Sequence, residues 1–145
     1  MCGITVGLTV SSDALRHRGP DDHRVRSMGK WTLGFNRLAI NDLSGAGMQP
    51  FERNGTMMVC NGEIYNHKDF ENGKEESSSD CECILRMIRD YGIHDTCNLV
   101  RGVFALAWTD GNADTPRQFY AKGVMDNDTN TFPRRAQSTS KTPTR

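Results

Sequence analysis

The sequence predicts an α+β domain built largely from antiparallel β-sheet. Three observations point to this class: several short runs rich in β-branched and aromatic residues, one clear amphipathic helix, and no strand–helix alternation that would indicate parallel βαβ units. At 145 residues the chain has room for one domain and hardly for two.

Five segments have the length and composition of β-strands. They are residues 4–10, 31–40, 56–60, 103–109 and 118–124. Because these segments follow one another with few intervening helices, we expect neighbouring strands to pair antiparallel.

One helix is predicted after residue 80. Four apolar residues recur there at i, i+3, i+4 and i+7 and predict one buried face: Ile84, Met87, Ile88 and Tyr91. Ser79 with Glu82 three residues later predicts a capping box, and Gly92 predicts the helix end. Weaker helical patterns cover residues 66–70 and 95–101.

Two segments are too polar to join a core. Residues 71–80 contain no hydrophobic side chain, which predicts an exposed loop. Residues 126–145 contain only Phe132 and Ala136 from the hydrophobic set. Since such a segment cannot bury enough apolar surface to offset its ordering entropy, we expect a domain over residues 1–125 and a disordered tail over 126–145.

Charge and cysteine content exclude several classes of partner. Lysine plus arginine and aspartate plus glutamate both number 18, so a balanced chain is expected to bind neither nucleic acid nor a membrane surface. The start of the chain has no basic segment followed by a long apolar stretch, and no signal peptide is expected. Five cysteines do not form an even disulfide framework, which predicts a reduced, cytoplasmic protein.

Cys2 is the first candidate for chemistry. The initiator methionine is usually removed before a small residue, so we expect Cys2 to become the mature N-terminus, with a thiol and a free α-amine on one residue. An α-amine has a pKa of about 7.7–8.0, so roughly a tenth of it is neutral at pH 7 and can act as general base beside its own nucleophile. The alternative is a chance cysteine buried in the first strand.

Asn61 and Gly62 form the second candidate. An asparagine amide and an adjacent glycine N–H can together face a developing oxyanion, because glycine allows close approach of the backbone. Asn-Gly is also the commonest tight hairpin turn, and taken alone the dipeptide favours that turn.

Arg37 and Asp80 are the charged candidates. Arg37 ends an apolar run and can present its planar fork to a carboxylate; the alternative is an arginine on an exposed face. Asp80 is expected at the first helical position, where pairing with the helix dipole would suffice to explain it and a substrate ammonium would be the functional partner.

Two further groups have simpler interpretations. The loop over residues 15–22 is expected to be a rigid Gly-Pro turn in solvent. Four potential zinc ligands occur downstream, but their spacing does not match paired zinc knuckles, so no metal is expected: Cys81, Cys83, His94 and Cys97.

Six short motifs occur in a fixed order along the chain: Met1-Cys2-Gly3-Ile4, His17-Arg18-Gly19-Pro20-Asp21-Asp22, Asn36-Arg37-Leu38-Ala39-Ile40, Met48-Gln49-Pro50, Cys60-Asn61-Gly62-Glu63-Ile64-Tyr65-Asn66 and Ser79-Asp80-Cys81-Glu82. Gly102-Val103-Phe104-Ala105 and Trp108 follow them. In this order the motifs resemble the glutaminase domain of glutamine-hydrolysing asparagine synthetases. The resemblance covers about residues 1–125 and is highly specific.

The resemblance implies a class II glutamine amidotransferase of the N-terminal-nucleophile type, with a four-layer αββα sandwich of two antiparallel sheets between helices. It implies that Cys2 is the nucleophile, that Asn61 and Gly62 form the oxyanion hole, and that the loop from His17 to Asp22 closes over bound glutamine. The substrate-binding residues that it implies are Arg37 for the α-carboxylate, Glu63 and Asp80 around the α-ammonium, and the backbone of Leu38, Ala39, Ile40 and Asn41.

These roles agree with the chemistry of the residues. We expect the Cys2 thiolate to attack the side-chain amide of L-glutamine, ammonia to leave after protonation through the α-amine, and water to hydrolyse the glutamyl thioester. Glutamine hydrolysis is expected to need no cofactor. ATP and magnesium would belong to a synthetase domain, whose Ser-Gly-Gly-Leu-Asp-Ser-like pyrophosphate loop has no counterpart in these 145 residues.

The match to the family ends near Asp126, and counterparts of the final strands of the sandwich are expected to be missing. Two interpretations stay open at this point. One is a working glutaminase whose ammonia serves a separate synthetase chain and an acceptor such as activated aspartate. The other is a truncated synthetase fragment that is inactive or binds glutamine without turnover. A zinc-binding interaction module ranks far below both.

Overall fold

A computed structural model describes residues 2–11, 13–40, 42–73, 77–110 and 119–122. Within these residues, seven strands form two antiparallel sheets, and one long helix packs against the second sheet. The predicted α+β class with antiparallel sheet is therefore confirmed. Asn41 and the predicted tail over 126–145 lie outside the described residues.

The first sheet has the order β1-β3-β2, with β1 at Gly3–Gly7, β2 at Asp22–Met28 and β3 at Trp31–Arg37. Strand β3 is central and pairs antiparallel with both neighbours. The predicted strands 4–10 and 31–40 are both present, and each ends three residues earlier than predicted.

The early end of β3 has a specific cause. The backbone N–H of Leu38 donates to the Cys2 thiol at 3.3 Å, and the backbone N–H of Ala39 donates to the Asp21 carboxylate at 2.8 Å. Because side chains take these donors, the backbone leaves the β-ladder at this point and enters the functional site.

The second sheet has the order β4-β5-β6-β7, with β4 at Phe51–Arg53, β5 at Thr56–Ile64, β6 at Gly102–Thr109 and β7 at Phe119–Lys122. Strands β5, β6 and β7 were predicted, but β5 continues four residues beyond its predicted end.

The extension of β5 corrects the interpretation of Asn61-Gly62 as a hairpin turn. Asn61 lies opposite Ala105 and Gly62 opposite Phe104, so both residues are inside the β5–β6 ladder. A local turn preference is overridden here by pairing with a strand about forty residues away in sequence.

Strands β2 and β4 were not predicted. Strand β2 (Asp22–Met28) is an edge strand with only Val25 and Met28 apolar, and β4 (Phe51–Arg53) has only three residues. Neither has an alternating apolar face long enough to distinguish it from a loop.

Strand β5 is buried on both faces and joins the layers. Met57 and Val59 pack towards the first sheet, in a cluster with Leu33 and Phe35 of β3. On its other face Met58, Cys60 and Ile64 pack against the helix in a second cluster. The described residues therefore stack as helix, sheet and sheet, and the functional site opens at one end of the space between these layers.

Helix α1 spans Glu82–Leu99 and is broken at Gly92, where φ is +78°. The predicted helix end at Gly92 is confirmed as this break, and a second helical segment follows it. Three of the predicted apolar-face residues are buried, namely Ile84, Met87 and Ile88. The prediction for Tyr91 was wrong: it immediately precedes the break, and its side chain is 54% exposed. The pattern at 66–70 corresponds to a single 3-10 turn, His67–Asp69.

The predicted capping box was also wrong. The residue that caps α1 is Cys81, without a side-chain cap bond. The buried Glu82 carboxylate instead accepts bonds from the backbone N–H and the hydroxyl of Ser77 at 2.8 and 2.6 Å and pairs with Arg53 at 3.0 Å. A buried carboxylate requires such charged and hydrogen-bonding partners, which a single backbone N–H does not supply.

No helix in the described part of the chain is both long enough and apolar enough to cross a membrane.

Candidate active site

A cavity of about 320 Å³ lies where the ends of β3 and β5 meet the start of α1. We call it the Cys2 cavity. Its volume lies in the lower range of small-molecule sites, roughly 300–1,000 Å³. Every predicted site residue that the structure describes lines it: Cys2, Arg37, Leu38, Ala39, Ile40, Asn61, Gly62, Glu63 and Asp80.

Cys2 stands at the inner edge of the first sheet. Its side chain packs with Ile4 and Val6 against the core between the sheets, which follows from the alternation of side chains along a strand. Its thiol accepts a bond from the Leu38 N–H at 3.3 Å and lies 3.6 Å from the Leu38 carbonyl oxygen. The sulfur is half-buried and held in place at the cavity wall.

Asn61 and Gly62 line the Cys2 cavity from the second sheet. By strand alternation Asn61 projects from the same face of β5 as Met57 and Val59, towards the first sheet. Gly62 has φ of +153°, and a Cβ there would collide with the backbone of Val103 and Phe104 on β6. Only glycine fits at this position because β6 approaches so closely, whereas the expected approach of the Gly62 backbone to an oxyanion stays a prediction.

Arg37 is buried, so the alternative of a surface arginine was wrong. Its guanidinium donates from Nη1 to the Ser44 carbonyl at 2.8 Å and from Nη2 to the Asp42 carbonyl. These two bonds fix the planar group, and a guanidinium carries five N–H donors, so others remain for a ligand in the cavity.

Asp42 supports the loop that holds Arg37. Its carboxylate accepts bonds from the N–H groups of Ser44 at 2.6 Å and Ser78 at 2.8 Å. Hydrogen bonding from Ser44 lowers the pKa of Asp42 most strongly and that from Ser78 lowers it further, against burial, which raises it. Asp42 is therefore an anion that connects the Arg37 loop to the segment before α1.

The two carboxylates occupy different environments. Glu63 is exposed at the rim of the cavity, whereas Asp80 is buried and accepts a bond from the Ile64 N–H at 2.6 Å. Asp80 lies two residues before the first helical residue, so its predicted place inside the helix was wrong by that margin. Its burial also corrects the prediction that residues 71–80 are exposed throughout.

The loop from His17 to Asp22 contacts the site directly. Arg18 donates to the Cys2 carbonyl at 3.2 Å, and the Asp21 N–H donates to the Arg37 carbonyl at 3.1 Å. Gly19 is buried, and a Cβ there would collide with the backbone of Asn36. The expectation of a turn in solvent was therefore wrong at Gly19.

Six further residues line the cavity wall to which the sequence analysis assigned no role in the site. They are Asp42, Gln49, Cys60, Tyr65, Cys81 and Val103. Gln49 is buried, and its side-chain oxygen accepts a bond from the Cys60 N–H at 2.6 Å, which aligns β5 just before Asn61. The motif Met48-Gln49-Pro50 marked this position without indicating its role.

All five cysteines are free thiols, and the residues proposed as zinc ligands do not converge. Within the described ranges no group of three or more His, Cys, Asp or Glu side chains is placed to hold a metal ion.

Two packed antiparallel sheets with a thiol at the inner edge of one and an Asn-Gly pair on the other define an α+β protein with a small-molecule site centred on a cysteine. The family described as glutamine amidotransferase domain matches residues 2–116. The chain belongs to this family.

The names of similar proteins are consistent with membership of this family. The chain is 40% identical over 106 residues to a probable glutamine-hydrolysing asparagine synthetase of Acanthamoeba polyphaga mimivirus, which covers 68% of this chain and 19% of the relative. It is 34% identical over 128 residues to asparagine synthetase 1 (glutamine-hydrolysing) of Arabidopsis thaliana, covering 76% and 22%. It is 36% identical over 119 residues to the amidase chry2 of Gibberella zeae, covering 72% and 17%. The chain thus spans about a fifth of the length of these curated relatives.

Proposed function

We propose that the Cys2 cavity hydrolyses the side-chain amide of L-glutamine and releases ammonia. The observation that carries this proposal is the meeting of a thiol, an Asn-Gly pair, a buried arginine and two carboxylates in one cavity of about 320 Å³. Glutamine presents one amide, one carboxylate and one ammonium, and each has a chemical counterpart among these residues.

Substrate orientation follows from the charges. Arg37 binds the α-carboxylate through the donors that its bonds to Ser44 and Asp42 leave available. Asp80 and Glu63 flank the α-ammonium, Asp80 from the buried end of the cavity and Glu63 from its rim. Held at its α-carbon, the substrate extends its side-chain amide towards Cys2.

The reaction proceeds in two steps. Once the initiator methionine is removed, the free α-amine of Cys2 accepts the thiol proton, and the sulfur attacks the amide carbon. The Asn61 amide and the Gly62 N–H stabilise the oxyanion; loss of one such donor typically costs about 2.7–4 kcal/mol of barrier. The C–N bond then breaks, the α-amine returns the proton to the leaving ammonia, and water hydrolyses the glutamyl thioester to glutamate.

The remaining features of the family also belong to the proposal. The helix–sheet–sheet stacking of the described residues supports a four-layer αββα sandwich of the N-terminal-nucleophile type. Glutamine hydrolysis at this site uses no cofactor. A synthetase domain takes up the ammonia for an acceptor such as activated aspartate, in line with the names of the relatives. This domain belongs either to the same polypeptide or to a separate chain.

Ammonia release from glutamine by the purified chain tests the proposal. Cys2→Ala abolishes release, whereas Cys97→Ala, which removes a buried thiol away from the cavity, retains it. Persistence of release in Cys2→Ala would overturn the assignment of the nucleophile. Glutamine binding by Cys2→Ala, measured by calorimetry, separates loss of chemistry from loss of the folded cavity.

A further inference from the structure

Two thiols other than Cys2 line the Cys2 cavity. Cys60 lies on β5, directly before Asn61, and Cys81 caps α1, directly after Asp80. The proposed glutamine chemistry uses neither sulfur. Each is only 2–3% exposed, and the cavity wall to which both belong gives a small reagent its route to them.

The fold brings the two cysteines into one buried cluster and one cavity wall. Cys60 projects from the face of β5 that packs on α1, and it belongs to the same buried cluster as Cys81. Both side chains line the Cys2 cavity, and the neighbouring Cys60 side chain raises the pKa of the Cys81 thiol. Twenty residues of chain lie between the two cysteines, so a bond between them would connect the second sheet to the start of the helix.

We propose that Cys60 and Cys81 form a modification site, in which a peroxide entering the Cys2 cavity joins the two thiols in a disulfide. The Cys60 sulfur attacks one peroxide oxygen, the O–O bond breaks, and a sulfenic acid and one water form. The Cys81 sulfur then attacks the sulfenic sulfur, and its proton leaves with the hydroxide as a second water. In total, two thiols and one hydrogen peroxide give one disulfide and two waters.

The division of roles follows from the surroundings of Cys81. The neighbouring Cys60 side chain raises the pKa of the Cys81 thiol well above its ordinary value, and burial raises it further. Because the thiolate is the reacting form, this shift disfavours Cys81 as the first sulfur to attack the peroxide, and we assign Cys81 to the second step. Since buried thiols react slowly, millimolar peroxide and a time course are appropriate.

The disulfide alters the glutamine site because both cysteines adjoin it. A disulfide brings its sulfurs to about 2.05 Å, closer than two unbonded sulfur atoms can lie. This movement of the two sulfurs displaces Asn61, which follows Cys60, and Asp80, which precedes Cys81. A displacement of site groups by about 1 Å lowers the reaction rate up to 10²-fold. The effect on turnover rests on the proposed function, whereas formation of the disulfide does not.

Peptide mapping of the full chain tests the site. The reduced protein is exposed to hydrogen peroxide with and without excess glutamine, alkylated and digested; cleavage after Lys68 separates the two cysteines. We expect a Cys60–Cys81 cross-link, two hydrogens lighter than the separate peptides, that glutamine slows and dithiothreitol reverses. Recovery of both residues as alkylated thiols, or pairing of Cys60 with Cys2, would overturn the proposal.

A measurement of glutamine binding tests the effect of the disulfide on the site independently of catalysis. In a Cys2→Ser background, cross-linking is expected to weaken glutamine binding about tenfold, as measured by calorimetry before and after reduction. Cys81→Ser removes the response to peroxide, and Cys97→Ser is the matched control that keeps it. Equal affinity in the linked and reduced forms would contradict the inference that the disulfide alters the site.

Discussion

Substitution of Gly62 by alanine tests the geometry of the site most sharply. An alanine Cβ would lie 2.5 Å from the Phe104 Cα and 2.7 Å from the Phe104 Cβ, and the backbone would keep a φ of +153° that side chains disfavour. Such strain costs about 1–3 kcal/mol, equivalent to roughly 4–12 °C in Tm for a small domain. Because β5 must move away from β6, the Gly62 N–H leaves its place, and loss of one oxyanion donor costs about 2.7–4 kcal/mol of barrier.

Steady-state ammonia release and thermal melting measure the two effects separately. We expect kcat of Gly62→Ala to fall about 10²–10³-fold with little change in KM, because the oxyanion exists only in the transition state. Gly45→Ala is the matched control: a Cβ there meets nothing within 4 Å, and both kcat and Tm should stay near the parent values. Full activity in Gly62→Ala, or a loss confined to KM, would refute the assignment of Gly62 to the oxyanion hole.

Three further substitutions address the charged residues. Arg37→Lys should raise KM for glutamine at least tenfold with kcat nearly unchanged, since an ammonium cannot reproduce the planar fork held by two backbone carbonyls; Arg16→Lys on the surface is the control. Because hydrogen bonds from neighbouring serines lower the pKa of Asp42, its stabilising effect is full above about pH 4 and is lost as the pH falls through the lowered pKa. Asp42→Asn should therefore lower Tm at pH 7, and its difference from the parent should shrink as the pH falls below about 4, while exposed Asp13→Asn changes little. A difference in Tm that stays constant from pH 7 into the acid range would contradict this role of Asp42. Asp80→Asn should weaken binding of glutamine more than that of glutaramate, which lacks the α-amine, and equal loss for both would contradict its place beside the ammonium.

The sequence predicted the parts of the fold whose pattern is local. Strands β1, β3, β5 and β6 carry β-branched and aromatic runs because one or both faces are buried, and the first half of α1 carries a helical apolar stripe. The candidate site residues were chosen on the order of short motifs, which carries more information than any one of them, and their roles stay predictions. All of those that the structure describes line one cavity.

The parts that sequence reasoning missed depend on contacts between distant segments. The Asn61-Gly62 dipeptide prefers a turn locally, and only pairing with Phe104 on β6 keeps it in a strand. Glu82 does not form the expected capping box, because its buried carboxylate pairs with Arg53 and accepts a hydrogen bond from Ser77. Such choices are made by tertiary packing, so no local pattern could have predicted them.

In the proposed reaction the Cys2 sulfur forms a covalent bond with the substrate. A rapid acid quench of the full chain during turnover of L-glutamine, followed by peptide mass mapping, tests this bond directly. We expect a glutamyl thioester on an N-terminal Cys2 that has lost its methionine. Retained methionine in an active protein, or an adduct on any other cysteine, would contradict it.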